Sequence, residues 1–251
     1  MDKVAIVNVH IHNVTKTYLL DNLRSGMLIT PNVDHLVRLQ KDKEFYDVYK
    51  EADWVICDSK IVGLGLNFLG SPVKEVIPGS SFFPEFCKYN RFNDEVKIFL
   101  LGAAPGVASL AMKRINERIG REIIVGTHSP SFGFESNSVE CEQIIGLINQ
   151  TDATVLVVGV GAPKQEKWIS KYRDEFTRIK LFMALGATID FEAGTTKRAP
   201  QIFQSLNLEW FHRMILNPRR LLKRYIVDDM PFFYYLVKQK LGFYKDPYLN
   251  E

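Results

Sequence analysis

The sequence predicts an α/β fold, a mostly parallel sheet with helices on both faces, followed by a helical appendage at the C-terminus. Three observations carry this prediction. Short apolar runs rich in β-branched residues alternate with segments of helical spacing through residues 1–194, the pattern of a sheet covered on both sides. The run Val155–Val158 stops at Gly159-Val-Gly161, and Pro163 then opens a helical segment, which reads as a buried strand meeting a helix N-terminus. After Gly194 the alternation ends and the chain turns basic and aromatic.

In chain order, Val4 to Val9 reads as the first strand and Met27 to Thr30 as the second. Asn32 to Gln40 and Lys43 to Lys50 space Val, Leu, Phe and Tyr as helices do. Trp54 to Cys57 is a short strand ending at Asp58. Val96 to Leu101 is closed by Gly102-Ala-Ala-Pro-Gly106, and a helix runs from about Val107 to Ile119. Ile123–Val125, Val155–Val158 and Ile179–Leu185 complete the strands. The body, residues 1–194, is thus Rossmann-like. In such sheets ligands bind beyond the carboxyl ends of the strands. Those ends carry Thr30-Pro-Asn32, Asp58-Ser-Lys60, Gly102–Gly106, Gly159-Val-Gly161 with Gln165-Glu166, and Gly186-Ala-Thr188.

Residues 195–251 form the appendage. Leu206–Leu216 and the segment after Pro218 show helical spacing, and Met230-Pro-Phe-Phe-Tyr-Tyr-Leu-Val237 is strongly aromatic. This stretch holds ten Lys/Arg against five Asp/Glu, whereas residues 1–194 are slightly acidic.

Bulk properties narrow the class. With 46% hydrophobic and 24% charged residues, the chain has the balance of a water-soluble domain. No run approaches the roughly 18 to 20 apolar residues of a membrane span, and the N-terminus lacks signal-peptide features, so a cytoplasmic location is expected. Cys57, Cys87 and Cys141 are odd in number and far apart, which argues against a disulfide framework or a cysteine zinc site. His10 and His12 lack a third ligand nearby, so no metal is expected there. A net charge of +3 and a small basic patch speak against nucleic-acid binding.

Asp58 is the best candidate for a general base, because a partly desolvated carboxylate at a strand end takes a proton more readily. The alternative is a cap on the helix that follows. Thr30 and Asn32 can orient a sugar by hydrogen bonds, or Asn32 can simply cap its helix. Strand-end amides at Gly102, Gly159 and Gly161 suit a phosphate, or the glycines serve only tight, well-packed turns. Arg213, Arg219, Arg220, Lys223 and Arg224 suit the same phosphate, or form a solvated basic helix face. Basic residues next to Phe232–Tyr235 also suit an anionic membrane surface, though packing on the body explains the aromatics equally well. The sequence has no Gly-x-Gly-x-x-Gly fingerprint, no P-loop, no Gly-x-Ser-x-Gly elbow and no Asp-x-Asp, which disfavours dehydrogenases, P-loop ATPases and serine hydrolases. Asp190-Phe-Glu192 could place two carboxylates on one strand face, with a metal between them, but no third ligand lies nearby, so binding or packing of a single carboxylate is the preferred reading.

Together these segments resemble the WecG/TagA/CpsF family of bacterial glycosyltransferases over nearly the whole chain. The resemblance runs through Thr30-Pro-Asn32, Ala52–Asp58, Leu101–Ala108, Gly159–Glu166, Gly186–Gly194, Arg198-Ala-Pro200, Leu208-Glu-Trp210, Arg213, Pro218-Arg219 and Arg224-Tyr225. It implies transfer of a sugar from a UDP-sugar to a polyprenyl-diphosphate-linked sugar at the cytoplasmic membrane face, by an inverting, metal-independent route. It also implies a peripheral membrane protein that forms homo-oligomers and acts in cell-surface polysaccharide synthesis. Carried over, Asp58 would be the base, Thr30 and Asn32 would position the donor sugar, and Gln165 with Asp190 would line the nucleotide site. Arg213, Arg220 and Arg224 would meet the diphosphate from the appendage.

Two segments depart from the family pattern. Ser59-Lys60-Ile61 replaces Gly-x-Gly, and Val76-Ile-Pro-Gly79-Ser-Ser81 lacks the usual arginine and acidic residue. These departures sustain a second hypothesis, a non-catalytic membrane-surface module that retains the fold. A nucleotide-binding oxidoreductase is the third, disfavoured by the absent fingerprint.

Overall fold

The computed structural model describes residues 2–196 and 228–249. Six strands form one parallel sheet: β3 (Gly26–Ile29), β4 (Trp54–Val55), β5 (Ile98–Gly102), β6 (Ile124–His128), β7 (Val155–Gly159) and β8 (Leu181–Ala184). Their order across the sheet is β4-β3-β8-β7-β5-β6, and each neighbouring pair is parallel. From β3 the chain steps toward one edge, and from β5 toward the other. The carboxyl ends of β3, β8, β7 and β5 therefore border the place where the winding diverges, the usual seat of a ligand.

Both faces of the sheet are buried, which is why its strands are continuous apolar runs. On β7, Leu156 and Val158 join one core, while Val155 and Val157 join the other. The first core is covered by α2 (Val33–Arg38), α3 (Lys43–Glu51), α4 (Lys60–Leu69), α7 (Ser138–Asn149) and α8 (Lys164–Tyr172). The second is covered by α1 (Lys16–Asn22), α5 (Gly79–Tyr89), α6 (Val107–Ile119) and α9 (Thr188–Ala193).

Two elements differ from the sequence-based expectation. The N-terminal apolar stretch is not one strand but a hairpin, β1 (Lys3–Ile6) antiparallel to β2 (Val9–His12). Its two-residue turn lacks the glycine such turns favour, and Val7 takes φ +54°. Tertiary contacts hold it there. Val7 N–H donates to Gln239 Oε1 (2.6 Å) and Asn8 Nδ2 donates to Leu39 O (3.0 Å). Asp190 and Glu192 lie on helix α9, not on a strand. Helical geometry turns residues two apart away from each other, and Glu192 pairs instead with Arg118. His12 is also spent structurally, since its Nδ1 accepts from Val55 N–H (3.0 Å) and so ties the hairpin to β4.

The C-terminal helix Met230–Lys240 seats Phe232 and Leu236 in the same core as α2 and α4. Gly65 of α4 makes room for it: a Cβ there would lie 3.0 Å from Leu236 Cδ1 and 3.2 Å from the Phe232 ring. We expect Phe232→Ala to cost about 3 to 5 kcal/mol of stability, measured by denaturant unfolding. A loss below about 1 kcal/mol would mean that this helix does not belong to the folded body. For the same reason, truncation at residue 195 is expected to destabilise the body as well as remove the appendage. The remaining predicted helices of residues 197–227 lie outside the described residues.

Candidate active site

Asp58 follows β4 and is half-buried. Its Oδ1 accepts from Gly79 N–H at 2.6 Å, so it caps α5, a helix beginning 21 residues downstream. The helix immediately after it, α4, is capped by Ser59, whose Oγ accepts from Ile61 N–H (3.2 Å). Local reading missed this because the capped amide is distant in sequence. Thr30, at the end of β3, donates from Oγ1 to Ala184 O of β8 (3.5 Å). Gly79 stands between the two: a Cβ added to it would lie 3.0 Å from Leu185 Cδ2, 3.5 Å from Thr30 Cγ2 and 3.6 Å from Asp58 Oδ1. Leu185, Thr30 and Asp58 thus surround the Cα of Gly79, and a side chain there would press on Leu185. The Pro78-Gly79 step before a helix was the available signal for this contact.

Asn32 caps α2, its Oδ1 accepting from His35 N–H (3.2 Å). Below it, the buried His35 Nδ1 bonds the Tyr49 hydroxyl at 2.7 Å. The departing segments are both in place here. Lys60 is the exposed first residue of α4. Val76 packs on the same helix, where a Cβ on Gly63 would lie 2.7 Å from Val76 Cγ2.

Toward the sheet centre, backbones replace side chains. A Cβ on Gly102 would stand 2.5 Å from Gly159 O, and one on Gly159 would stand 2.6 Å from Gly186 O. The ends of β5, β7 and the turn after β8 therefore touch backbone to backbone, a close approach only glycine permits. Ala103 sits in the left-handed region (φ +61°), which costs a non-glycine residue about 1 kcal/mol. This strained step leads to Gly106, and α6 then starts without a side-chain cap or an acidic residue in its first turn. Its N-terminal amides and positive dipole end face this edge of the sheet, chemistry suited to an anion.

Gln165 is 3% exposed. Its Oε1 accepts from both Gly161 N–H (3.2 Å) and Gly186 N–H (3.1 Å), and its Nε2 donates to Glu166 Oε1 (2.7 Å). The carboxamide is thus a staple between the turns after β7 and β8. Asp190, in the first turn of α9, is half-buried, and that burial raises its pKa. Arg213, Arg220 and Arg224 lie outside the described residues.

Glu166 is marked in the sequence only as part of the Gln165-Glu166 pair after β7, with no role of its own. It is fully buried, and its Oε2 has no hydrogen-bond partner. Burial first, then the neighbouring Asp34 charge, push its pKa up to about 7. A carboxyl raised from 4.5 stabilises the fold fully below that value, and the gain is lost as pH rises through about 7. Glu166→Gln removes this loss. Its stability relative to the parent is therefore expected to improve between pH 5 and pH 8, by about 3 kcal/mol at most, read from paired melts. The same difference at both pH values would show an acid already ionised at pH 5.

The sequence matches the Glycosyl transferase WecG/TagA/CpsF family over residues 4–246. The chain belongs to this family. It is also 26% identical over 248 residues to the N-acetylglucosaminyldiphosphoundecaprenol N-acetyl-beta-D-mannosaminyltransferase of Staphylococcus aureus (strain MRSA252), covering 94% of this chain and 92% of that protein. The protein of the same name from strain NCTC 8325 / PS 47 is 25% identical with the same coverage. Membership makes the chain a glycosyltransferase of cell-surface polysaccharide synthesis, and the parallel sheet with its helices is the family's expected α/β fold.

Proposed function

We propose that this protein transfers a sugar from a UDP-sugar to a polyprenyl-diphosphate-linked sugar, by an inverting displacement that needs no metal or other cofactor. The observation that carries this reading is the Asp58 carboxylate, fixed by Gly79 N–H beside Thr30 at the diverging strand ends. The names of the Staphylococcus aureus relatives supply the chemical class of acceptor.

In this reading the acceptor hydroxyl attacks the anomeric carbon from the face opposite the leaving group. Asp58 takes the hydroxyl proton as the new glycosidic bond forms, and the anomeric bond to UDP breaks with its electron pair leaving on the diphosphate. Anchoring one carboxylate oxygen by a backbone amide holds the base in a defined direction, which is worth rate by orientation. Thr30 and Asn32 position the donor sugar. Gly102, Gly159, Gly161, Gln165 and Asp190 surround the nucleotide, and Arg213, Arg220 and Arg224 meet the diphosphate charge that a metal would otherwise neutralise.

A peripheral place on the membrane belongs to the same reading. The C-terminal helix turns Met230, Phe233, Tyr234 and Val237 outward, and Leu241 just beyond it, with Lys238 and Lys240 alongside. Exposed aromatics among lysines suit an anionic lipid surface. No helix among the described residues is long and apolar enough to cross a membrane. The deciding assay is UDP release from a panel of UDP-sugars, with a short-chain lipid-diphosphate sugar as acceptor and no added metal. Acceptor-dependent release with one donor supports the proposal and names that donor. Release only on metal addition refutes the metal-independent step.

A further inference from the structure

We propose that Glu166 is a positioning residue of the donor site, acting through Gln165 on the spacing of the turns after β7 and β8. The inference rests on the nucleotide-sugar reading above and adds a residue that makes no contact with substrate.

The two ends of a carboxamide are not equivalent. Gln165 Oε1 faces two backbone donors, Gly161 N–H at 3.2 Å and Gly186 N–H at 3.1 Å. Reversed, the group would set its own N–H bonds against those two, leaving every donor unmet in a buried site. The orientation that works requires an acceptor on the far side, and Glu166 Oε1 at 2.7 Å is that acceptor. No other side chain meets Nε2 among the described residues. The nearby Tyr49 hydroxyl is engaged with His35.

Glu166 is also an expensive residue to keep. It is fully buried without a cation, and its second oxygen has no partner. An apolar side chain of similar size would pack there at lower cost. Gln165 is its only side-chain partner among the described residues, so the contact to Gln165 is the use that sets it apart from an apolar residue. What that contact controls is the gap between two turns. Gly159 already touches Gly186 O closely enough to exclude a Cβ, and the Gln165 bridge spans the same two turns a few atoms further out. Loss of the bridge frees the Gly161 and Gly186 amides to move independently at the edge where the diphosphate is placed.

The test compares Glu166→Met, which keeps volume but removes the acceptor, with Glu166→Gln, which restores an acceptor oxygen. The readouts are UDP affinity by calorimetry, donor KM, and kcat at saturating donor. The expected result is at least tenfold weaker UDP binding and a matching rise in donor KM for Glu166→Met. Its kcat should change by less than about threefold, and Glu166→Gln should recover most of the affinity. A folded Glu166→Met with parental UDP affinity overturns the proposal, as does equal impairment of both variants. Parental protein that binds no UDP overturns the underlying reading, and the proposal with it. If Glu166→Met does not fold, the side-chain amide protons of Gln165 in the parental protein decide by nuclear magnetic resonance. Slow exchange with solvent supports the fixed carboxamide, and exchange at the rate of a free glutamine overturns it.

Discussion

Asp58→Asn is expected to lower kcat by about 10² to 10⁴ while shifting the melting temperature by no more than a few degrees. Asparagine keeps an oxygen able to accept from Gly79 N–H, the 2.6 Å bond that starts α5, so the local fold survives. What it loses is the ability to take a proton from the acceptor hydroxyl. Asp58→Ala would confound the two roles, because it also strips the cap and leaves the buried Gly79 amide unmet, costing about 1 kcal/mol or more. The contrast is therefore diagnostic. Both variants should be nearly inactive in acceptor-dependent UDP release, but only the alanine should melt early. If Asp58→Asn kept more than a tenth of the parental rate at saturating substrates, Asp58 would be a helix cap and the base would lie elsewhere.

Gly159→Ala is expected to damage both stability and activity. The new methyl would sit 2.6 Å from Gly186 O and 3.0 Å from Ile189 Cδ1. The first is backbone in the turn after β8, and relieving it means separating β7 from β8 in the middle of the sheet. Such overpacking costs about 1 to 3 kcal/mol or more, and the carboxamide bridge from Gln165 to Gly161 and Gly186 would stretch with it. Unfolding midpoint and UDP affinity should fall together. Gly161→Ala is the control. A Cβ there meets nothing within 4 Å, so its cost comes from the positive φ of 89° and should be smaller. Equal effects at the two positions would show that backbone conformation, not the close approach, makes Gly159 necessary.

Much of the architecture was legible because it follows from periodicity. Val155–Val158 is apolar on every residue because both faces of β7 are buried in separate cores. The α6 boundaries, Val107 and Ile119, coincide with those read from helical spacing between two glycines. The N-terminal hairpin was not legible. Its turn at Val7-Asn8 has an asparagine but not the Asn-Gly or Asp-Gly pair that marks a two-residue hairpin, and Gln239, which holds it, lies 232 residues away. A strand face for Asp190-Phe-Glu192 stayed open in the sequence because a six-residue helix shows too few periods to distinguish it from a strand.

The candidate site divides in the same way. Sequence alone determined which strand ends carry polar groups and glycines, because those residue types stand immediately after apolar runs and the sheet must present its carboxyl ends together. It also determined the family resemblance, through the order and spacing of short segments. Only the tertiary structure decided what each residue touches. Asp58 caps α5 rather than α4, Gly102 and Gly159 are held by backbone contact, and Gln165 faces two amides with Glu166 behind it. The physical reason is that spacing reports local geometry, whereas hydrogen-bond partners and close approaches are set by strands that meet only after the chain has crossed the sheet.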